Sequence, residues 1–198
     1  MNYKKLGEGS YGCVIKPGLK CHKTTKKNMV SKLLLKKRHN DYKHELKISK
    51  RLQHSKKLKF NVDNHFCTIQ DHCYLKHNEI PNQVRYDDLY FNDKKCFNTM
   101  IDSTILSKKK SNYISLLMPN CGKGLTEASL TFLKNNLHFI NFIKHALRGL
   151  EYTKQKKIVL GDIKLDNMLI KYSNPIFIDF GSSQIISSKK NLSKNIEE

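Results

Sequence analysis

Three glycines in the stretch GEGSYGCV (7–14), a lysine at 32, a glutamate at 45, the run GDIKLDN (161–167) and the run IDFG (178–181) are the parts of this 198-residue chain whose types and spacing could handle a phosphate ester. Gly7, Gly9 and Gly12, with Val14, make the pattern G-x-G-x-x-G-x-V. Glycine puts no side chain between main-chain N–H groups and phosphate oxygens, so such a turn can hydrogen-bond them directly. Lys32 stands 20 residues after Gly12 and 13 before Glu45, and Asp179 stands 17 residues after Asp162. Asp162, Lys164, Asn167 and Asp179 bring the charged and polar groups that phosphoryl transfer uses for charge stabilisation and in-line positioning. A glycine turn alone is only a hairpin, and one lysine in a lysine-rich chain means little. Order and spacing carry the reading.

The elements that must hold these residues are legible around them. Residues 3–6, 11–16 and 29–35 read as strands about the glycine turn, and alternation along the third puts Val30 and Lys32 on one face. Residues 41–53 have helical character, with Ile48 and Leu52 one turn apart. From 54 to 111 the chain is polar and rich in Lys and Asn, broken by pieces such as HFCTI and DDLYF, and reads as an insertion or an elaborated strand pair. YISLLM (113–118) is a buried-strand candidate and PNCGKG after it a turn. Leu133, Leu137, Ile140, Ile143, Leu147 and Leu150 recur at helical spacing and predict a long amphipathic helix with a core stripe. Short apolar strands are expected at 158–160, 168–170 and 176–178, and a mobile tail from Ser182.

Taken together these motifs resemble the protein kinase family from residue 6 to residue 181. The resemblance implies an α+β, bilobal kinase-like fold. A β-rich N-lobe would occupy 1–118, with an insertion at about 54–111. A hinge and a shortened helical C-lobe would follow at 119–181, then the tail at 182–198. It implies ATP and Mg2+ as cofactors. Ser10 and Tyr11 would sit at the tip of the glycine loop. Leu6, Val14 and Val30 would cover adenine from above and Leu169 from below. Met118 would guard the back of the pocket, and Pro119, Asn120 and Cys121 would resemble the hinge whose backbone reads the adenine edge. Lys32 would reach the α- and β-phosphates and pair with Glu45. Asp162 would accept the proton of the substrate hydroxyl, Lys164 neutralise the γ-phosphate, and Asn167 and Asp179 ligate magnesium. Lysine two positions after Asp162 is similar to serine/threonine kinases, which implies Ser and Thr hydroxyls of proteins as acceptors.

The chain departs from the family pattern in three places. Leu160 and Gly161 replace the usual His and Arg, so no arginine waits for an activation-loop phosphate. Ser49 stands where kinases pack an apolar residue. Only 17 residues follow Gly181, which predicts the loss of most of the lobe that binds peptide. Two other readings therefore stand beside an active kinase. One is a nucleotide-binding pseudokinase serving as a binding module. The other is a small atypical kinase similar to those of the tRNA-threonylcarbamoyl complex. The compact N-terminus, the Lys- and Asn-rich composition and the insertion are similar to kinases of large DNA viruses.

The formal net charge is +20, from 37 Lys and Arg against 17 Asp and Glu. The base is mostly lysine, dispersed and without aromatic interleaving, so a solvated surface and coding bias account for it; nucleic acid stays open as a partner with no motif behind it. No apolar run is long enough to span a bilayer and no signal-peptide core precedes the glycine loop, which predicts an intracellular, cytoplasmic protein. The oligomeric state is not legible. Six scattered cysteines without a CxxC predict reduced thiols. His65, Cys67, His72 and Cys73 offer zinc-like donors at a spacing that fits no usual ligand pattern.

Overall fold

The computed structural model describes residues 3–9, 12–21, 28–35, 39–54, 60–76, 79–80, 112–125 and 135–186. The chain divides into two compact units, one of Met1–Tyr42 with Ile69–Asn120 and one of Lys43–Thr68 with Cys121–Glu198. The content is α+β: strands dominate the first unit, and the second combines helices with short strand pairs.

The first unit is a five-stranded antiparallel sheet built from β1 (Lys4–Gly9), β2 (Gly12–Lys16), β3 (Met29–Leu35), β4 (Asp71–Lys76) and β5 (Asn112–Pro119). Its order is β1-β2-β3-β5-β4. The largely apolar run Tyr113–Met118 is buried throughout because β5 lies inside the sheet, paired with β3 on one side and β4 on the other. Cys13, Ile15, Leu33, Cys73, Leu75 and Tyr113 fill a core with Leu19, Cys21 and Ile80. Two buried serines are satisfied there: Ser115 Oγ donates to Ser31 Oγ at 3.0 Å, and Ser31 Oγ accepts from the Leu19 amide at 2.7 Å. β4, which pairs with β5, comes from the stretch expected to be an insertion or an elaborated strand pair. Most of that stretch, including DDLYF, lies outside the described residues.

The second unit carries most of α1 (His39–Gln53), the helix α2 (Asn136–Gln155), a sheet of β6 (Lys123–Gly124), β8 (Met168–Lys171) and β9 (Asn174–Phe177), and a pair of β7 (Ile158–Val159) with β10 (Gln184–Ile185). The Asn135 side chain caps α2 by accepting from the amides of Leu137 and His138, which satisfies donors that the first turn otherwise leaves orphaned. Ile48 and Leu52 of α1 pack with Phe66, Tyr152, Ile158, Phe177 and Phe180. Each such side chain, fully buried, contributes about 1.5–3 kcal/mol. Tyr152 also donates its hydroxyl to the Leu52 carbonyl at 2.7 Å, tying α2 to the end of α1.

Three expectations are corrected. The stripe of Leu137, Ile140, Ile143 and Leu147 is exposed rather than core (40–65% accessible), and Leu133 lies outside the described residues. α2 buries a different face, Phe142, Gly149, Tyr152 and Thr153, with Ala146 and Leu150 partly buried beside it. On that face the helix comes close to β9 at Gly149, where a Cβ would sit 3.0 Å from Cε2 of Phe177. The described cysteines are not free thiols either. Cys21 bonds Cys73, Cys67 bonds Cys121, and Cys13 is also in a disulfide. Pairing follows distance in the fold, with Cα separations of 5.5 and 5.8 Å, and not spacing in sequence. With Cys67 and Cys73 so engaged, the mixed zinc set is not available. Finally, residues 182–186 are not a loose tail: Ser183 is buried and Gln184–Ile185 pair with β7. Residues 187–198 lie outside the described residues.

Candidate active site

In the first unit, strand register decides which residues share a surface. Val14 lies opposite Lys32, Lys32 opposite Leu116, and Val30 opposite Met118. Directly opposed residues of antiparallel strands project to the same side, so Val14, Val30, Lys32 and Met118 share one face of the sheet. The other face carries the core of Cys13, Ile15 and Leu33. Gly7 lies opposite Val14, and a Cβ built on it meets nothing within 4 Å. Gly9 and Gly12 face each other where β1 turns into β2. Leu6 falls at the register shift between Lys5 and Gly7 and is 45% exposed. Ser10 and Tyr11 lie outside the described residues.

The segment after β5 is anchored as well. The Asn120 amide donates to the Asn28 carbonyl at 2.8 Å, and Asn28 has the left-handed φ of 71° needed to present it. The hinge-like residue Asn120 therefore commits its N–H within the protein. Cys121, in the second unit, is buried in its bond to Cys67.

The second unit assembles the catalytic-run residues. Asn167 donates through Nδ2 to both the carbonyl and Oδ2 of Asp162, at 2.9 and 2.8 Å. Lys164 Nζ stands 2.8 Å from the same Oδ2. Hydrogen bonding to Lys164, supported by Asn167, holds the Asp162 carboxyl below its usual range. Asp162 in turn raises the Lys164 ammonium above its ordinary value, with Asp166 and Asp179 adding to the effect. Asp162 is thus a carboxylate at neutral pH and Lys164 a cation.

Asp179 is set from the same framework. β8 and β9 pair from Met168↔Phe177 to Lys171↔Asn174, so Asn167 precedes one strand and Ile178 follows the other. The Ile178 amide donates to the Asn167 carbonyl at 3.0 Å. The next residue, Asp179, takes φ 58° and is exposed, while Phe180 is buried in the core. Phe180 acts as the anchor and Asp179 as the group it presents. Leu169 adjoins Met168, which packs against that core, and by alternation projects to the other side of β8. Glu45 is buried on α1. Lys32 is carried by the first unit and Glu45 by the second.

With Nδ2 spent on Asp162, Asn167 has its amide oxygen to offer, and Asp179 offers a carboxylate. Both are the hard oxygen donors that Mg2+ takes, so the donor set suits that ion.

Two contributors are not evident from sequence. A Cβ at Gly161 would run into the Ser182 carbonyl, so the glycine that replaces the usual arginine makes room for the chain just after Gly181. His44 Nε2 lies 2.5 Å from the Ser183 carbonyl, tying α1 to that same stretch one residue before Glu45. No spacing rule signals either contact; each depends on where residues 182–183 return.

A model described as "Protein kinase domain" matches residues 1–197. A protein of Acanthamoeba polyphaga mimivirus named "Putative serine/threonine-protein kinase" is 40% identical over 73 residues, which is 37% of this chain and 13% of that protein. The chain thus matches only a small part of that relative's length, and the likeness to kinases of large DNA viruses noted in the composition has a counterpart there. Among the described residues no helix is long and apolar enough to cross a membrane.

Proposed function

We propose, on the premise that this chain belongs to the protein kinase domain family, that it transfers the γ-phosphoryl group of ATP to Ser or Thr hydroxyls of proteins, with Mg2+. The observation that carries the reading is the cluster of Asn167 and Lys164 on one oxygen of Asp162. Both groups bind Oδ2, which leaves Oδ1 to receive the proton of an attacking hydroxyl. The hydroxyl oxygen bonds to the γ-phosphorus, the bond from phosphorus to the bridging oxygen breaks, and ADP leaves. Lys164 balances charge on the transferred group. Mg2+, held by Asn167 and Asp179, would supply further charge neutralisation of the phosphates. In the first unit Lys32 neutralises the α- and β-phosphates, Gly7, Gly9 and Gly12 let main-chain amides approach them, and Val14, Val30 and Met118 give the base an apolar surface.

Purified protein incubated with Mg2+ and γ-labelled ATP, with and without a mixture of Ser- and Thr-containing proteins, tests this directly. Label should appear on protein hydroxyls and disappear in Asp162→Asn. Folded protein that gains thermal stability from Mg2+ and ATP yet transfers no label would instead make the chain a nucleotide-binding module.

A further inference from the structure

We propose that the Cys67–Cys121 disulfide is a positioning device for the hairpin that carries the magnesium ligands, so that the working form of the site is the oxidised one. This rests on the roles given above to Asn167 and Asp179. The small sheet of the second unit runs β6-β8-β9. On its outer side, Lys123 and Gly124 pair with Ile170 and Leu169 of β8. Beyond β9 a further segment docks: Phe66 forms a parallel bridge with Phe177, Phe177 donates to the His65 carbonyl at 2.8 Å, and Cys67 donates to the Phe177 carbonyl at 2.9 Å.

The hairpin is therefore held on both sides by short segments, and each segment adjoins one half of the disulfide. Cys121 precedes β6 by two residues, and Cys67 directly follows the bridge residue Phe66. Their bond, with Cα atoms 5.8 Å apart, closes a ring that runs through β6, β8, β9 and residues 65–67. Gly122 lets the ring close: it takes φ 127°, and a Cβ there would run into the Ile170 carbonyl. A two-residue strand such as β6 holds little on its own, so the covalent bond supplies what the hydrogen bonds lack. The object it braces is specific, because Asn167 and Asp179 flank the two ends of the hairpin and are linked by the hydrogen bond from Ile178 to Asn167.

Reduction would be ordinary thiol–disulfide exchange. Two electrons and two protons pass from a dithiol such as dithiothreitol to Cys67 and Cys121, and the dithiol closes to its cyclic disulfide. Both cysteines are buried, at 6% and 4% exposure, so the bond should persist under mild reductant and yield only when the ring opens.

The test uses the full chain in two double variants. Cys67→Ala/Cys121→Val removes the brace while keeping the site apolar, and Cys21→Ser/Cys73→Ser removes the disulfide of the first unit. Amide hydrogen exchange at Phe177 and Ile178 and Mn2+ affinity by EPR, with a non-hydrolysable ATP analogue present, are the readouts. The first variant should exchange at least about tenfold faster at both amides and bind Mn2+ more weakly, while the second keeps wild-type exchange there. If the first variant does not fold, wild-type protein reduced with dithiothreitol and then re-oxidised serves instead, and should lose and regain protection at the two amides. Unchanged exchange after loss of the bond overturns the proposal. So does finding alkylatable thiols at 67 and 121 in protein purified without reductant. Faster exchange in the variant, in a protein whose wild type binds no Mn2+, supports the brace and removes the magnesium reading instead.

Discussion

Gly161 and Ser182 are in such close approach that a Cβ on the first would strike the carbonyl of the second. The chain returns there just after Asp179, Phe180 and Gly181, and it is then fixed by Val159↔Gln184 and Ile158↔Ile185 pairing and by His44 on the Ser183 carbonyl. Gly161→Ala must push residues 182–183 away and strain each of those contacts. We expect a loss of about 1–3 kcal/mol, read from the urea midpoint. An unaltered midpoint would mean that this stretch yields without cost and that the contact does not explain the glycine.

Lys164 and Asn167 act on Asp162 in the same direction, since both bind its charged form. In Lys164→Met the Asp162 carboxyl should titrate at higher pH than in the wild type, measured by 13C NMR of its carboxyl carbon. Phosphoryl transfer should fall by about 10²–10³, the range seen when one group stabilising transition-state charge is removed. A variant with wild-type turnover would take Lys164 out of the reaction.

The charged part of this site was legible because it is local. Asp162, Lys164 and Asn167 lie within six residues, and the Asp179 turn sits at the end of a hairpin whose strands are apolar and short, so spacing alone carries the geometry. The β1–β3 sheet was legible for the same reason, through alternation and the glycine turn. What failed depended on long-range return of the chain. α2 has two apolar stripes, and periodicity picked out Leu137, Ile140, Ile143 and Leu147. Phe142, Gly149 and Tyr152 are the buried face, and at Gly149 the helix comes so close to β9 that a Cβ would sit 3.0 Å from the Phe177 ring. Disulfides follow the same rule, joining residues 52 and 54 apart that no spacing pattern connects.

Cys21 and Cys73 give a second measure of how much those bonds matter. Their bond joins the segment after β2 to β4 within the first unit, at a separation of 52 residues. Closing a loop of that size limits the unfolded chain and contributes about 4 kcal/mol in the chain-entropy model, with measured values of about 2–5 for native bonds. Cys21→Ser/Cys73→Ser should lower stability by that order in urea, without reductant in either sample. A difference under about 1 kcal/mol would mean that the bond is strained or absent in the folded protein.

Acid should weaken the second unit through a pair of stacked histidines. His65 and His145 lie ring over ring at 3.9 Å, Phe60 covers the other side of His65 at 4.5 Å, and both Nδ1 atoms are buried with no hydrogen-bond partner among the described residues. Burial first, then the neighbouring His145 and Arg148, lower His65 to about 4, and burial with Arg148 lowers His145 as well. Well above pH 6.5 both rings are neutral in the folded and unfolded chain, and pH has no leverage through them. As pH falls from 6.5 toward 4 the unfolded chain takes up protons that the folded one refuses, so stability declines across that window and levels off below it. The shift at His65 corresponds to an upper bound of about 3–4 kcal/mol, which solvent screening reduces. His65→Phe keeps the stack on Phe60 and removes the titrating group, so its urea midpoint should change less between pH 7 and pH 4.5 than that of the wild type. Parallel pH profiles for the two proteins would show that acid acts elsewhere.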